Sequence, residues 1–251
     1  MTQSVERSLL LLCELGDGPK RLGPLAEKFG IHKSTALRLL QTMERQGFVQ
    51  RQGDPPEFGL GLRLVELSQA LLDKIDIRQV AAGPLKRLGE QTGETVHLAV
   101  RLSGEVVYLD KVESIHPVRM YSRIGTRAPA HCTGVGKVLL AFADPSTWPS
   151  MELRRFTDTT ITTQEGLMLA AEEIRAEGWG RDEREHEETI RCIAAPVFGP
   201  GDAVVAAVSV SVPTSRLSAE QLEQYVPQLL EATREITRGI GGRPVPPETP
   251  A

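Results

Sequence analysis

The chain has 251 residues, 40% of them hydrophobic and 4% aromatic, which suits one or two globular domains with cores of their own. The formal net charge of -4 excludes a uniformly basic nucleic-acid coat, yet the charge is uneven: 10 Lys/Arg stand against 9 Asp/Glu up to Lys74, and 19 against 24 beyond it. No basic-then-apolar leader opens the sequence, no apolar run approaches the roughly 20 residues that span a bilayer, and Cys13, Cys132 and Cys192 lack paired spacing, so the expectation is a soluble cytoplasmic protein with free thiols.

In chain order, VERSLLLLCEL (5–15) reads as a first helix, closed by the breaker run GDGP. RLGPLAEKFG (21–30) is a short second helix, with Pro24 in its first turn and Gly30 as its stop. A third helix runs from Lys33 to Gln46 and stops at Gly47. Residues 48–60 form two short extended pieces around Gly-Asp-Pro-Pro, a hairpin, and 61–74 a fourth, amphipathic helix. Beyond it the pattern becomes mixed α/β. A helix over 77–91 precedes two strands around Ser103-Gly104. VRMYSRIG (118–125) reads as a third strand, and helices follow at 134–142 and 163–178. A strand pair spans 192–213 around Gly-Pro-Gly-Asp. Ser218, with Gln221 three residues on, has the capping-box spacing for a last helix, and the Pro-rich end is expected to be disordered. The expected division is 1–60, a linker helix over 61–76, a second domain over 77–240 and a tail over 241–251.

HKSTALRLL (32–40) carries the first functional signal. At about 100° per residue, Ala36, Leu39, Leu40, Met43 and Gly47 share one side of the third helix, and Ser34, Arg38, Gln41 and Arg45 the other. The apolar side must pack on the first two helices, which leaves the polar stripe facing outward. Small hydroxyls at a helix start, Ser34 and Thr35, suit phosphate or base edges, and Arg38 one turn on could fork onto guanine O6 and N7. Helix, turn, helix and hairpin is the winged helix-turn-helix order, whose second motif helix enters the major groove. Gln41 lies on the same stripe, Arg51 in the hairpin could reach a phosphate or the minor groove, and Lys33 and Arg21 suit phosphates. The near-neutral charge of this part requires its positive groups to cluster.

A second signal lies in HCTGVGK (131–137), where glycines occur as a loop turns into a helix. The amides of Gly134 and Val135 could hold an anion there. Ser209 and Ser211, two apart among valines and alanines, share one face of a strand and suit a mainly apolar pocket. DEREHEE (182–188), with five carboxylates and His186, could by itself be a metal or acid-base site, and its usual explanation is a solvated acidic segment.

Three stretches together resemble the IclR family of bacterial transcription regulators: HKSTALRLLQTMERQGFV, PAHCTGVGKVLLAF, and RDEREHEETIRCIAAPVF followed by VVAAVSVSVP. The resemblance spans most of the chain. It implies an α+β two-domain protein, with an N-terminal winged helix-turn-helix and a C-terminal GAF-like α/β effector domain. It further implies binding to pseudo-palindromic operator DNA as a homodimer or tetramer, under the control of a small metabolite, frequently a carboxylate. By family position, Asp182, Cys192, Ser209 and Ser211 match pocket-lining polar residues, and the amides at Gly134 and Val135 match those that contact a ligand carboxylate. One departure is Thr189, where the family usually has Gly, which could narrow the pocket or alter backbone hydrogen bonding. No cofactor or metal is expected. His131, Cys132, Asp182 and Cys192 could meet around a transition metal, which leaves a metal- or redox-sensing regulator as an alternative. An enzyme with Cys192 as nucleophile and His131 or His186 as base is a remote one.

Overall fold

The computed structural model describes residues 3–72, 76–117, 120, 122–148 and 152–244. The end of the expected tail, 245–251, lies outside them. Contacts divide the chain into two compact units, Met1–Lys74 and Ile75–Ala251.

The first unit holds α1 (Gln3–Glu14), α2 (Leu22–Lys28), α3 (Lys33–Arg45), the strands β1 (Val49–Gln52) and β2 (Glu57–Leu60), and α4 (Arg63–Leu72). Its core gathers Leu11, Leu15, Leu25, Leu40, Met43, Val49 and Phe58. Each fully buried leucine contributes about 1.5–3 kcal/mol by leaving water, so this small set orients three helices against the hairpin. β1 and β2 pair antiparallel, Val49 opposite Leu60 and Arg51 opposite Phe58, and Lys20 bridges to Phe58 at the foot of the hairpin. This is a winged helix-turn-helix.

The second unit is a six-stranded antiparallel sheet in the order β5-β4-β3-β8-β7-β6, with helices on both faces. Its strands are β3 (Thr95–Leu102), β4 (Glu105–Val112), β5 (Arg127–Ala128), β6 (Gly180–Glu183), β7 (Ile190–Phe198) and β8 (Val204–Pro213). Ser103 and Gly104 both take positive φ, 54° and 88°, the tight hairpin turn whose twist matches its strands. On one face lie α5 (Ile77–Thr92), α8 (Ala219–Glu223) and α9 (Val226–Gly239), over Val96, Leu98, Ile193, Val208, Val210 and Val212. On the other lie α6 (Gly134–Ala141) and α7 (Gln164–Glu177), over Ala99, Val106, Ala194 and Ala207. Strand alternation therefore turns Val208, Val210 and Val212 to one side and Ala207, Ser209 and Ser211 to the other. With its paired helical layers, the unit has the GAF-like α/β organisation.

Three expectations need correction. Residues 118, 119 and 121 of the expected third strand lie outside the described residues, and the rest of 118–125 is not strand. Backbone hydrogen bonds join it to β4 at its end, where Gly125 donates to the Tyr108 carbonyl and Tyr108 donates to that of Thr126, while the Met120 and Ser122 carbonyls accept from Lys111 Nζ of the same strand at 3.0 and 2.9 Å. The acidic run is not a solvated segment: its first residues form β6 against β7, and Asp182 and Glu185 are buried. The last helix is two, α8 and α9, with Ser218 and Gln221 forming a reciprocal capping box on α8 and Pro227 in the first turn of α9.

Candidate DNA-reading surface and effector cavity

α3 is capped by His32, whose Nδ1 accepts the Ser34 amide at 3.3 Å and lies 2.8 Å from Ser34 Oγ. Ala36, Leu40 and Met43 are buried, while Lys33, Ser34, Arg38, Gln41 and Arg45 are exposed and Thr35 is half-buried. The ion pairs divide the cations of this unit. Glu14 binds both Lys20 and Lys28 and is thereby held below the usual carboxylate range. Arg21 pairs with Glu57 at 3.3 Å, Arg51 with Glu44 at 3.0 Å, and Arg63 with Glu66 at 2.6 Å. Arg7, Lys33, Arg38 and Arg45 have no carboxylate partner among the described residues. Three of those four lie on α3, Arg38 and Arg45 on its polar stripe and Lys33 at its start, so unpaired positive charge of a near-neutral unit collects on one helix. Arg21, a candidate for a phosphate, and Arg51, a candidate for a phosphate or the minor groove, each pair with a carboxylate of their own unit in the absence of DNA.

In the second unit, all six expected effector residues line one cavity of about 300 Å³: Gly134, Val135, Asp182, Cys192, Ser209 and Ser211. Sheet register brings the sequence-distant ones together. Asp182 on β6 lies opposite Cys192 on β7, Cys192 opposite Ser211 on β8, and Ala194 opposite Ser209. From the facing layer, α6 presents its N-terminus. Thr133 caps it by accepting the Gly136 amide at 3.2 Å, and the first-turn amides of Gly134 and Val135 have no acceptor within their own helix. A Cβ at Gly134 would lie 3.4 Å from the Cβ atoms of Cys192 and Ala194, so glycine lets the helix end sit close over the sheet. Thr189 is exposed and does not line the cavity, and its carbonyl accepts the Thr214 amide at 2.8 Å.

Tyr108, Ser122, Arg127, Thr133, His186 and Glu187 also line the cavity, and the sequence reading assigned none of them to it. Thr133 stands inside HCTGVGK, and His186 and Glu187 inside the acidic run, so those motifs already held them, while Tyr108 stands at an alternating strand position. Beneath the floor lies His97, 2.6 Å from Ser122 Oγ through Nε2 and 3.5 Å from Ser209 Oγ through Nδ1. Burial, with Lys111 nearby, pushes this imidazole down to about 3, so it is neutral at physiological pH. Asp182 is raised to about 7 by burial, against the help of the Glu185 amide that its Oδ1 accepts at 2.7 Å. Behind it, Lys137 of α6 and Glu185 form a buried ion pair.

Burial raises Cys132 to about 12 and Cys192 well above the usual thiol range, so neither is a thiolate at neutral pH. His131 Nε2 lies 2.9 Å from the Arg154 carbonyl. Among the described residues no group of three His, Cys, Asp or Glu side chains is placed to hold a metal ion.

Comparison with known proteins agrees with both halves of this picture. Residues 4–53 match the IclR helix-turn-helix domain, and residues 69–238 match the bacterial transcriptional regulator IclR C-terminal domain. The chain belongs to the IclR family of bacterial transcription regulators. Among IclR-family relatives, the HTH-type transcriptional regulator KdgR of Escherichia coli is 39% identical over 221 residues, 86% of this chain and 84% of that protein. XynR of the same organism is 35% identical over 245 residues, 95% of this chain and 97% of that protein. The crystal structure of Thermotoga maritima IclR superposes with a TM-score of 0.63 at 32% identity, over 96% of this chain and all of that one. As an IclR-family member the chain is a DNA-binding transcription regulator and not an enzyme. No helix among the described residues is long and apolar enough to cross a membrane.

Proposed function

We propose that this regulator is a cytoplasmic homodimer or tetramer whose occupancy of a pseudo-palindromic operator is controlled by a small organic acid bound in the C-terminal cavity. α3 enters the major groove. Arg38 reads a base edge, and Lys33, Ser34, Thr35 and Gln41 contact phosphates or neighbouring bases. Arg21 and Arg51 add phosphate contacts only on leaving Glu57 and Glu44.

The observation that carries the effector reading is the convergence of the first-turn α6 amides with the Ser209 and Ser211 hydroxyls in one cavity. Amides at a helix N-terminus favour a carboxylate, and hydroxyls among apolar walls orient the remainder. The cavity size fits a small metabolite.

A thermal-shift screen against small carboxylates, sugar acids, aromatic acids and divalent metals tests this, because a ligand of the folded state raises its stability by mass action. Selective stabilisation by one acid class, lost in Ser209→Ala, is expected. A shift with divalent metal alone would replace this reading with metal sensing.

A further inference from the structure

Arg51 is the only basic residue between Val49 and Leu60, so it carries the whole positive charge of the wing. Its guanidinium donates to Glu44 Oε2 at 3.0 Å, and its Cζ lies 5.0 Å from the centre of the Phe58 ring. Phe58 belongs to the core of the unit and is a fixed shelf. Glu44 sits on α3, next to buried Met43, and reaches across to the hairpin. The side chains of Arg51 and Glu44 remain 38% and 32% exposed.

This placement has two consequences. An ion pair so open to water is weak, and a second anion can displace the carboxylate. The anion that competes is a DNA phosphate, because α3 and the wing are the elements a winged helix-turn-helix brings to the duplex. Until such an exchange occurs, the arginine and the carboxylate neutralise each other, and the pair offers a duplex no net positive charge.

We propose that Glu44 sets the strength of sequence-independent DNA binding by competing with backbone phosphates for the wing arginine. Phosphate contacts carry no sequence information and dominate binding to random DNA. A carboxylate that occupies the wing arginine subtracts one such contact per subunit and keeps the regulator from lodging on DNA without an operator. This inference rests on the reading of α3 as the DNA-facing helix.

The test is a salt series of anisotropy titrations of the full-length protein on a labelled random-sequence duplex. Glu44→Gln is expected to tighten binding about five-fold at low salt. It should also steepen the dependence of log Kd on log salt by about 0.9 for each arginine freed. Arg51→Ala in the otherwise unchanged protein should leave the salt dependence unchanged, with at most a small loss of affinity from the freed Glu44 carboxylate, and in the Glu44→Gln background should remove the steepening. An inert Glu44→Gln overturns the proposal. So does a gain that survives in the double variant, since Glu44 would then merely repel phosphate. A salt dependence that flattens by about 0.9 per subunit in Arg51→Ala alone overturns it too, because the arginine would already sit on DNA. Circular dichroism confirms that each variant is folded. Arg38→Glu, run alongside, reports on the underlying reading. If it leaves binding unchanged, α3 does not face DNA; if it disables binding while Glu44→Gln is inert, the competition alone has failed.

Discussion

Replacing Asp182 by Asn tests whether the carboxyl group inside the cavity is held largely uncharged. The group is raised to about 7, against 3.8 for an ordinary aspartate, and burial is the largest cause. The folded state therefore keeps its proton over a range in which the unfolded chain has lost it. Stability falls as pH rises between these two values, and the penalty is complete above about pH 7 and absent below 3.8. At 1.36 kcal/mol per unit, about three units amount to an upper bound of about 4 kcal/mol. Asn retains an acceptor for the Glu185 amide, which donates to Oδ1 at 2.7 Å. Trp148 and Trp179 both lie in the second unit, so urea unfolding followed by tryptophan fluorescence reports on the domain that contains the site. Asp182→Asn should gain on the wild type as pH is raised from 4 towards 8, by up to about 4 kcal/mol, all other titrations cancelling in the difference. Parallel stability curves would refute the reasoning, since they require a carboxyl that ionises alike in both states.

Other outcomes follow from the same geometry. Arg38→Ala should cost about 1–3 kcal/mol on an operator selected from random duplexes and less on random DNA, measured by titration; equal losses would mark Arg38 as a phosphate contact. Lys137→Met leaves Glu185 buried without its partner and should lower urea stability by about 3–5 kcal/mol, whereas the double change to Met at both positions should recover most of it. Full stability in the single variant would show that the pair is not desolvated. Gly136→Ala should destabilise by about 1–3 kcal/mol, because the close packing leaves no room for an extra carbon. Its new Cβ would meet the Ala130 carbonyl oxygen at 2.3 Å and Cα at 2.5 Å, both backbone. An unchanged melting temperature would mean the α6 N-terminus is looser than described.

What the sequence determined by itself was local. The apolar stripe of α3, the stop at Gly47, the capping box at Ser218 and the Ser103-Gly104 turn follow from periodicity and from backbone angles that few residues adopt, and each acts over a few neighbours. The shared face of Ser209 and Ser211 is local in the same sense, a consequence of strand alternation. The tertiary structure decided whatever depends on what covers a residue. Asp182 and Glu185 read like Glu187 and Glu188 in a charged run, yet the first two are buried and the last two exposed, because β7 and α6 close over one side of the run only. In the same way, nothing adjacent to Arg51 announces Glu44, and nothing adjacent to Arg38 announces that no carboxylate among the described residues pairs with it. Charges interact through space rather than along the chain, so the sequence supplies an arginine's identity, and only the fold supplies the carboxylate that competes for it.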